Sequence, residues 1–148
     1  MEYSFLIFIH MLGATIWAGG HLVLSLAILP QALRTKDAEV VKQFEEKFER
    51  LGIPALLIQI LTGLRLAYLF LPDVSSWWGF SSRVSTHITL KFILLGLTLL
   101  LALHARIRLI PRLQSHRLNF LAFHIVAVTV LAVLFVGVGV SIRVGGFF

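Results

Sequence analysis

No cysteine occurs among the 148 residues, which excludes disulfides, thiolate-bound metals and iron–sulfur clusters. Only two methionines are present, Met1 and Met11, too few for a path of thioether ligands. The seven acidic residues are Glu2, Asp37, Glu39, Glu45, Glu46, Glu49 and Asp73, and all stand outside the long apolar runs. A carboxylate relay for ion coupling is therefore missing from those runs, and hard cations lack the oxygen ligands they need. There is no H-E-x-x-H, no phosphate-binding loop and no G-x-S-x-G, so the commonest metalloprotease, nucleotide and serine-hydrolase chemistries are absent. Internal repeats and low-complexity tracts are absent too.

What remains is apolar and helical in pattern. Hydrophobic residues make up 58% of the chain and the mean hydropathy is +0.92, well beyond what one soluble core requires. Crossing a bilayer takes roughly 20 apolar residues per helix. Four runs satisfy this, at about 3–33, 53–71, 84–109 and 118–142, and they predict an all-α integral membrane protein: one domain over 1–148, folded as a bundle of four transmembrane helices. The first run is too long for a cleaved secretory signal and has neither a basic start nor a small-residue cleavage site, so it is expected to be retained. The segment 31–50, "QALRTKDAEVVKQFEEKFER", is expected to run as helix along the membrane surface, with Val40, Val41, Phe44 and Phe48 near one face. Trp77 and Trp78 are expected at the headgroup level of the loop between the second and third helices.

Basic residues set the expected orientation. Nine of the thirteen lie in two loops: Arg34, Lys36, Lys42, Lys47 and Arg50 in one, Arg106, Arg108, Arg112 and Arg117 in the other. The positive-inside rule then puts both loops in the cytoplasm and both termini outside, in the cytoplasmic membrane of a bacterium. This reading of the net charge of +6 leaves no role for nucleic acid.

An ionisable side chain in hydrocarbon is costly unless it faces the bundle interior and finds a partner. His10, His21, Arg65, His87, Lys91, His104 and His124 all lie in or near the runs. His10 and His21 are about 20° apart in azimuth and about 16 Å apart along one helix, so they share a face, which also presents Gly13, Ala14, Trp17 and Ala18. Small residues there suit a flat macrocycle or a close helix, including one from a second copy in a homodimer. An outer group of His10, His87, Arg65 and Lys91 suits haem b: histidine as axial ligand, with basic partners for the propionates. An inner group of His21, His104 and His124 suits a second haem or a metal ion such as copper, and neutral imidazoles bonded to carbonyls are the alternative for each. His116, beside Arg117, falls in the second basic loop.

The run His10-x6-Trp17-Ala18-Gly19-Gly20, followed by Leu29-Pro30, resembles the first helix of the copper resistance D (CopD-like) membrane proteins. "LKFILLGLTLLLALHARIRLIPRL" is similar to that family's third helix, a lysine-led apolar run ending in basic residues and a proline. The family resemblance implies a four-helix membrane unit and copper as ligand. A weaker resemblance is to HemJ-type protoporphyrinogen oxidases, in which a helix-one histidine is associated with haem b; His10, Lys91 and His104 match that pattern, while the run those proteins carry after the tryptophan is not here. The leading expectation is therefore a haem b protein, with one haem or two, passing electrons between a membrane donor such as a quinol and an acceptor at the outer face. Copper transport by the same histidines is the alternative, and HemJ-like oxidation is the second. Whether the chain is an enzyme, for instance a membrane haem oxidoreductase, stays open at this point.

Overall fold

The computed structural model describes residues 1–109 and 118–146, and among these the fold is entirely helical. Four helices are long and apolar enough to cross a membrane: Glu2–Thr35, Glu39–Phe70, Arg83–Leu109 and Leu118–Val144. The second packs on the first, the first on the fourth, and the fourth on the third. The two chain ends meet at one end of the bundle, where Tyr3 touches Phe70 edge-on at 5.8 Å and Arg143 lies over Tyr3 at 6.0 Å. The basic turn with Pro111, Arg112, Ser115, His116 and Arg117 lies outside the described residues.

The second span begins earlier than its apolar run. Lys36 takes the left-handed conformation that ends the first span, and the Asp37 carboxylate accepts the Glu39 N–H at 2.9 Å, which starts the next helix after only three residues. Residues 39–50 are thus the first third of a single 32-residue helix rather than a separate surface helix. At 1.5 Å per residue this helix is about 48 Å long against about 30 Å of hydrocarbon, so its charged start extends past the apolar layer.

The first span contains one wide π turn, Leu24–Ile28, directly before Pro30. Proline inside a helix offers no N–H and crowds the carbonyl four residues back, and a wide turn relieves both demands. A second wide turn, Ala105–Leu109, follows His104 in the third span. Around these turns sits the apolar core, with Leu24, Leu29, Ala32, Val41, Leu109, Leu118, Leu121 and Ile125 all buried. The core therefore occupies the end of the bundle opposite the chain termini, and large side chains such as Phe5, Leu61, Leu100 and Phe123 face outward as a lipid-solvated surface requires.

The loop between the second and third spans is strapped down. Asp73 caps a short turn by accepting from Ser75 N, Ser75 Oγ and Ser76 Oγ, and those bonds hold its carboxyl below the usual carboxylate range. Thr89 reaches the carbonyls of Trp77 and Gly79 at 2.8 and 3.0 Å. Of the two tryptophans expected at the headgroup level, one ring is exposed and the other buried. Trp78 is exposed, whereas Trp77 is buried, donates its indole N–H to the Leu71 carbonyl at 2.8 Å and stacks near Phe92.

Glycines shape the packing of the first two spans. A Cβ on Gly13 would stand 3.0 Å from Gln59 Nε2 and 3.2 Å from the Ala55 carbonyl, and one on Gly52 would press on Phe48. A Cβ on Gly20 would stand 2.1 Å from Phe48 Cε2, inside the ring's own volume. Gly19, next to it, has open space. Gly20→Ala is accordingly expected to cost about 1–3 kcal/mol by overpacking, read as a lowered thermal midpoint in detergent, while Gly19→Ala stays near wild type. Equal midpoints for the two variants would contradict this packing.

Candidate histidine site

Counted along each helix from the end that carries the chain termini, the histidines sort into two levels. His87 lies about 6 Å and His10 about 12 Å in; His21 lies about 28 Å, His124 about 30 Å and His104 about 31 Å in. The inner three come from the first, fourth and third spans. Lys91 is at the level of His10, and Thr98 lies between the two levels.

At the first level, His10 is held by the second span. The Thr62 hydroxyl donates to the Ile58 carbonyl at 2.5 Å, so its oxygen accepts from His10 Nδ1–H at 2.8 Å. Gln59 donates its amide to the His10 carbonyl, and a Cβ on Gly63 would stand 3.2 Å from the Cε1 edge of the ring, a tight contact. Lys91 lies at the same depth, and its Nζ stands 3.6 Å from where a Cβ on Gly139 would be. His87 uses both ring nitrogens: Nδ1–H donates to its own helix at the Arg83 carbonyl, 2.7 Å away, and Nε2 accepts from the Ser141 hydroxyl at 3.0 Å. Arg65 is engaged elsewhere. Its guanidinium pairs with Glu2 at 2.7–2.8 Å near the chain ends.

At the second level, His124 donates Nδ1–H to the Phe120 carbonyl at 3.1 Å, which leaves Nε2 as an acceptor. His104 Nδ1 stands 2.9 Å from that nitrogen, and the two rings stack at 22° with centres 5.0 Å apart. Because His124 Nε2 accepts, His104 donates, and the lone pair of His104 is on Nε2. His21 follows the same rule, donating Nδ1–H to the Trp17 carbonyl at 2.8 Å. Its own carbonyl accepts from Thr129 of the fourth span at 3.1 Å, which ties the first and fourth spans together at this depth.

One tautomer therefore recurs. In the neutral form all five described histidines carry the proton on Nδ1, bonded to a carbonyl, a hydroxyl or another imidazole, and all five present a lone pair on Nε2. Two of those lone pairs are used, by Ser141 and by His104. Those of His10, His21 and His104 accept no hydrogen bond among the described residues. A ring whose other nitrogen is anchored in this way is the arrangement that orients a metal-ligating histidine.

The residues expected to flank a cofactor have mixed positions. Trp17 lies against His21, with ring centres 4.4 Å apart, and near Phe48 at 6.4 Å. The space beside Gly13 is taken by Gln59 and Ala55, and Ala14 is half-buried on the same helix. A groove of about 210 Å³ between the first and second spans is walled by apolar groups such as Leu12, Ile16, Pro54 and Ile58, with no histidine in its lining. No group of three or more His, Cys, Asp or Glu able to hold a metal ion occurs among the described residues.

Thr98 was not singled out by the sequence. Thr15, Thr35, Thr62, Thr86 and Thr129 each donate to the carbonyl four residues back, but the Thr98 hydroxyl is 1% exposed and has no partner among the described residues. A buried hydroxyl without a partner costs about 1–3 kcal/mol. A threonine in an apolar helix gives no sequence signal of this, since most satisfy themselves locally.

The copper resistance protein D family matches residues 42–143, more than half of the chain. The chain belongs to that family, and with its four apolar helices it is a multi-pass membrane protein. The match covers the second, third and fourth spans, with His87, Lys91, His104 and His124, and leaves His10, Trp17 and His21 outside it. No curated protein and no solved structure shows a significant match.

The tautomer assignment is directly testable. Two-bond ¹H–¹⁵N correlation spectra of the detergent-solubilised protein should show Nδ1–H imidazoles for His10, His21, His87, His104 and His124. An Nε2–H pattern at His21 or His104 would remove the free lone pairs.

Proposed function

We propose that this chain handles copper as cargo within the membrane, resting it at the inner level on His21 and on the His104–His124 pair as separate stations, with His10 as a further station nearer the chain termini. The observation that carries this is the set of open Nε2 lone pairs on anchored rings, in a chain with no cysteine and with Met11 exposed on the outer surface. Imidazole is then the softest interior ligand on offer, and it suits copper. Family membership supports the same reading. His104 and His124 already touch, so an ion on the open Nε2 of His104 sits on a ring that His124 anchors through Nδ1.

The haem b reading uses His10 and His87 as axial ligands with Arg65 and Lys91 at the propionates. It asks more of the protein: His87 Nε2 must leave Ser141, and Arg65 must leave Glu2. Copper at the inner level asks for neither. An absorption spectrum separates the two, because haem gives a Soret band and Cu(I) gives none.

The expected result with purified protein is tight Cu(I) binding in competition with a chromophoric chelator, no haem after supplementation, and a loss of copper stoichiometry in His104→Ala/His124→Ala. A Soret band that vanishes in His10→Ala would replace copper by haem as the ligand. Orientation is part of the proposal: both termini outside and the basic loops in the cytoplasm, on the charge bias. Since the chain has no cysteine, single replacements report cleanly. Asp73→Cys should react with a membrane-impermeant maleimide in intact cells, and Lys36→Cys only after permeabilisation; the reverse pattern would invert the topology.

A further inference from the structure

His21 differs from the other histidines in what surrounds it. The ring is buried, with Trp17 on one side at 4.4 Å between centres and the Phe48 ring edge-on at 5.6 Å and 86°. Phe44 stacks behind Phe48 at 5.8 Å and 18°. This enclosure is built by subtraction: Phe48 reaches His21 because Gly20 and Gly52 both lack a Cβ where the ring passes. The proton of His21 is committed to the Trp17 carbonyl, so the free lone pair lies on Nε2. Among the described residues no side-chain oxygen hydrogen-bonds the His21 ring, and no three-ligand metal group completes a higher-coordinate site.

We propose that His21, Trp17 and Phe48 form an aromatic cage selective for a soft monovalent d¹⁰ cation, so that the copper carried is Cu(I) and Trp17 is part of its binding site. The inference rests on the copper reading above and adds the oxidation state and a second ligand type. Cu(II) favours tetragonal sites with several nitrogen and oxygen ligands, which this cage does not supply. A singly charged ion with one imidazole ligand is instead compensated by the indole, the best of the aromatic faces for a cation. His21 itself is buried in the apolar bundle, where such an interaction is stronger than at an exposed site.

The test uses the full chain in detergent with Trp77→Phe and Trp78→Phe, leaving Trp17 as the sole indole. Ag(I), a redox-inert d¹⁰ ion, and anaerobic Cu(I) are titrated in turn, and bound metal is measured independently by chelator competition. The expected result is a loss of most Trp17 emission as the first equivalent binds, absent in His21→Ala. Trp17→Leu in the wild-type background should weaken Cu(I) binding about fivefold to thirtyfold, with Trp17→Phe intermediate. If the double replacement does not fold, the difference between wild type and Trp17→Phe carries the same signal. Metal bound at full stoichiometry with unchanged Trp17 emission would overturn the cage and leave the copper reading standing. Cu(II) bound as tightly as Cu(I), with its paramagnetic spectrum lost in His21→Ala, would also overturn it. No binding of either ion would overturn both.

Discussion

Inside hydrocarbon there is no water to accept an imidazole proton, and that single constraint organises the interior of this bundle. His21, His87 and His124 each return Nδ1–H to the carbonyl four residues back on the same helix. The bond satisfies the ring, removes one of two tautomers and aims the remaining lone pair away from the helix that carries it. His10 reaches the same state through Thr62, and His104 through His124. Five side chains that are costly in lipid thereby become five oriented bases, and the chemistry open to the protein follows from which of those bases has already found a donor.

The packing of the first span serves this arrangement. Gly13 and Gly63 let the second span approach, which brings Thr62 and Gln59 to His10; Gly20 and Gly52 admit Phe48, which closes over His21. A wide turn follows two of the three inner histidines, at Leu24–Ile28 after His21 and at Ala105–Leu109 after His104. Such turns recur at functional sites because they re-aim a helix without breaking it. Here they lead both spans from the polar level into the apolar core around Leu24, Ala32 and Leu109.

Much of this was legible in the sequence, for physical reasons. Span number and type follow from run length and hydropathy, and the shared face of His10 and His21 follows from helical period alone. Division of the histidines into two levels needed only depth along each helix. What one dimension could not carry were contacts between spans. Arg65 was grouped with Lys91 by depth, but its charge is taken by Glu2, 63 residues away in sequence. His87 looked as available as His10, and only the fold shows Ser141 beside it. The role of Gly20 depends on Phe48, part of a segment that reads as a surface helix until Lys36 turns the chain and makes it the start of the second span. Trp77 and Trp78 are adjacent and identical in type, and the bond to Leu71 that separates a buried ring from an exposed one comes from the fold of the loop.

Charge placement gives the two levels unequal roles. Lys91 reaches the level of His10, and no carboxylate lies in that part of the bundle, since Glu2 is paired with Arg65 and Glu49 with Arg106 at opposite ends. While Lys91 holds its proton, a second cation beside His10 meets uncompensated repulsion in a medium of low dielectric, where such terms are several times larger than in water. The partners that the inner histidines have among the described residues are backbone carbonyls, the Thr129 hydroxyl, another imidazole and aromatic rings, none of them a lysine or arginine. A monovalent cation is therefore better accommodated at His21, His104 and His124 than at His10, and the orphaned hydroxyl of Thr98 between the levels is the one polar group on the third span's buried face that separates them. Lys91 therefore makes His10 the weaker of the two levels proposed for the ion.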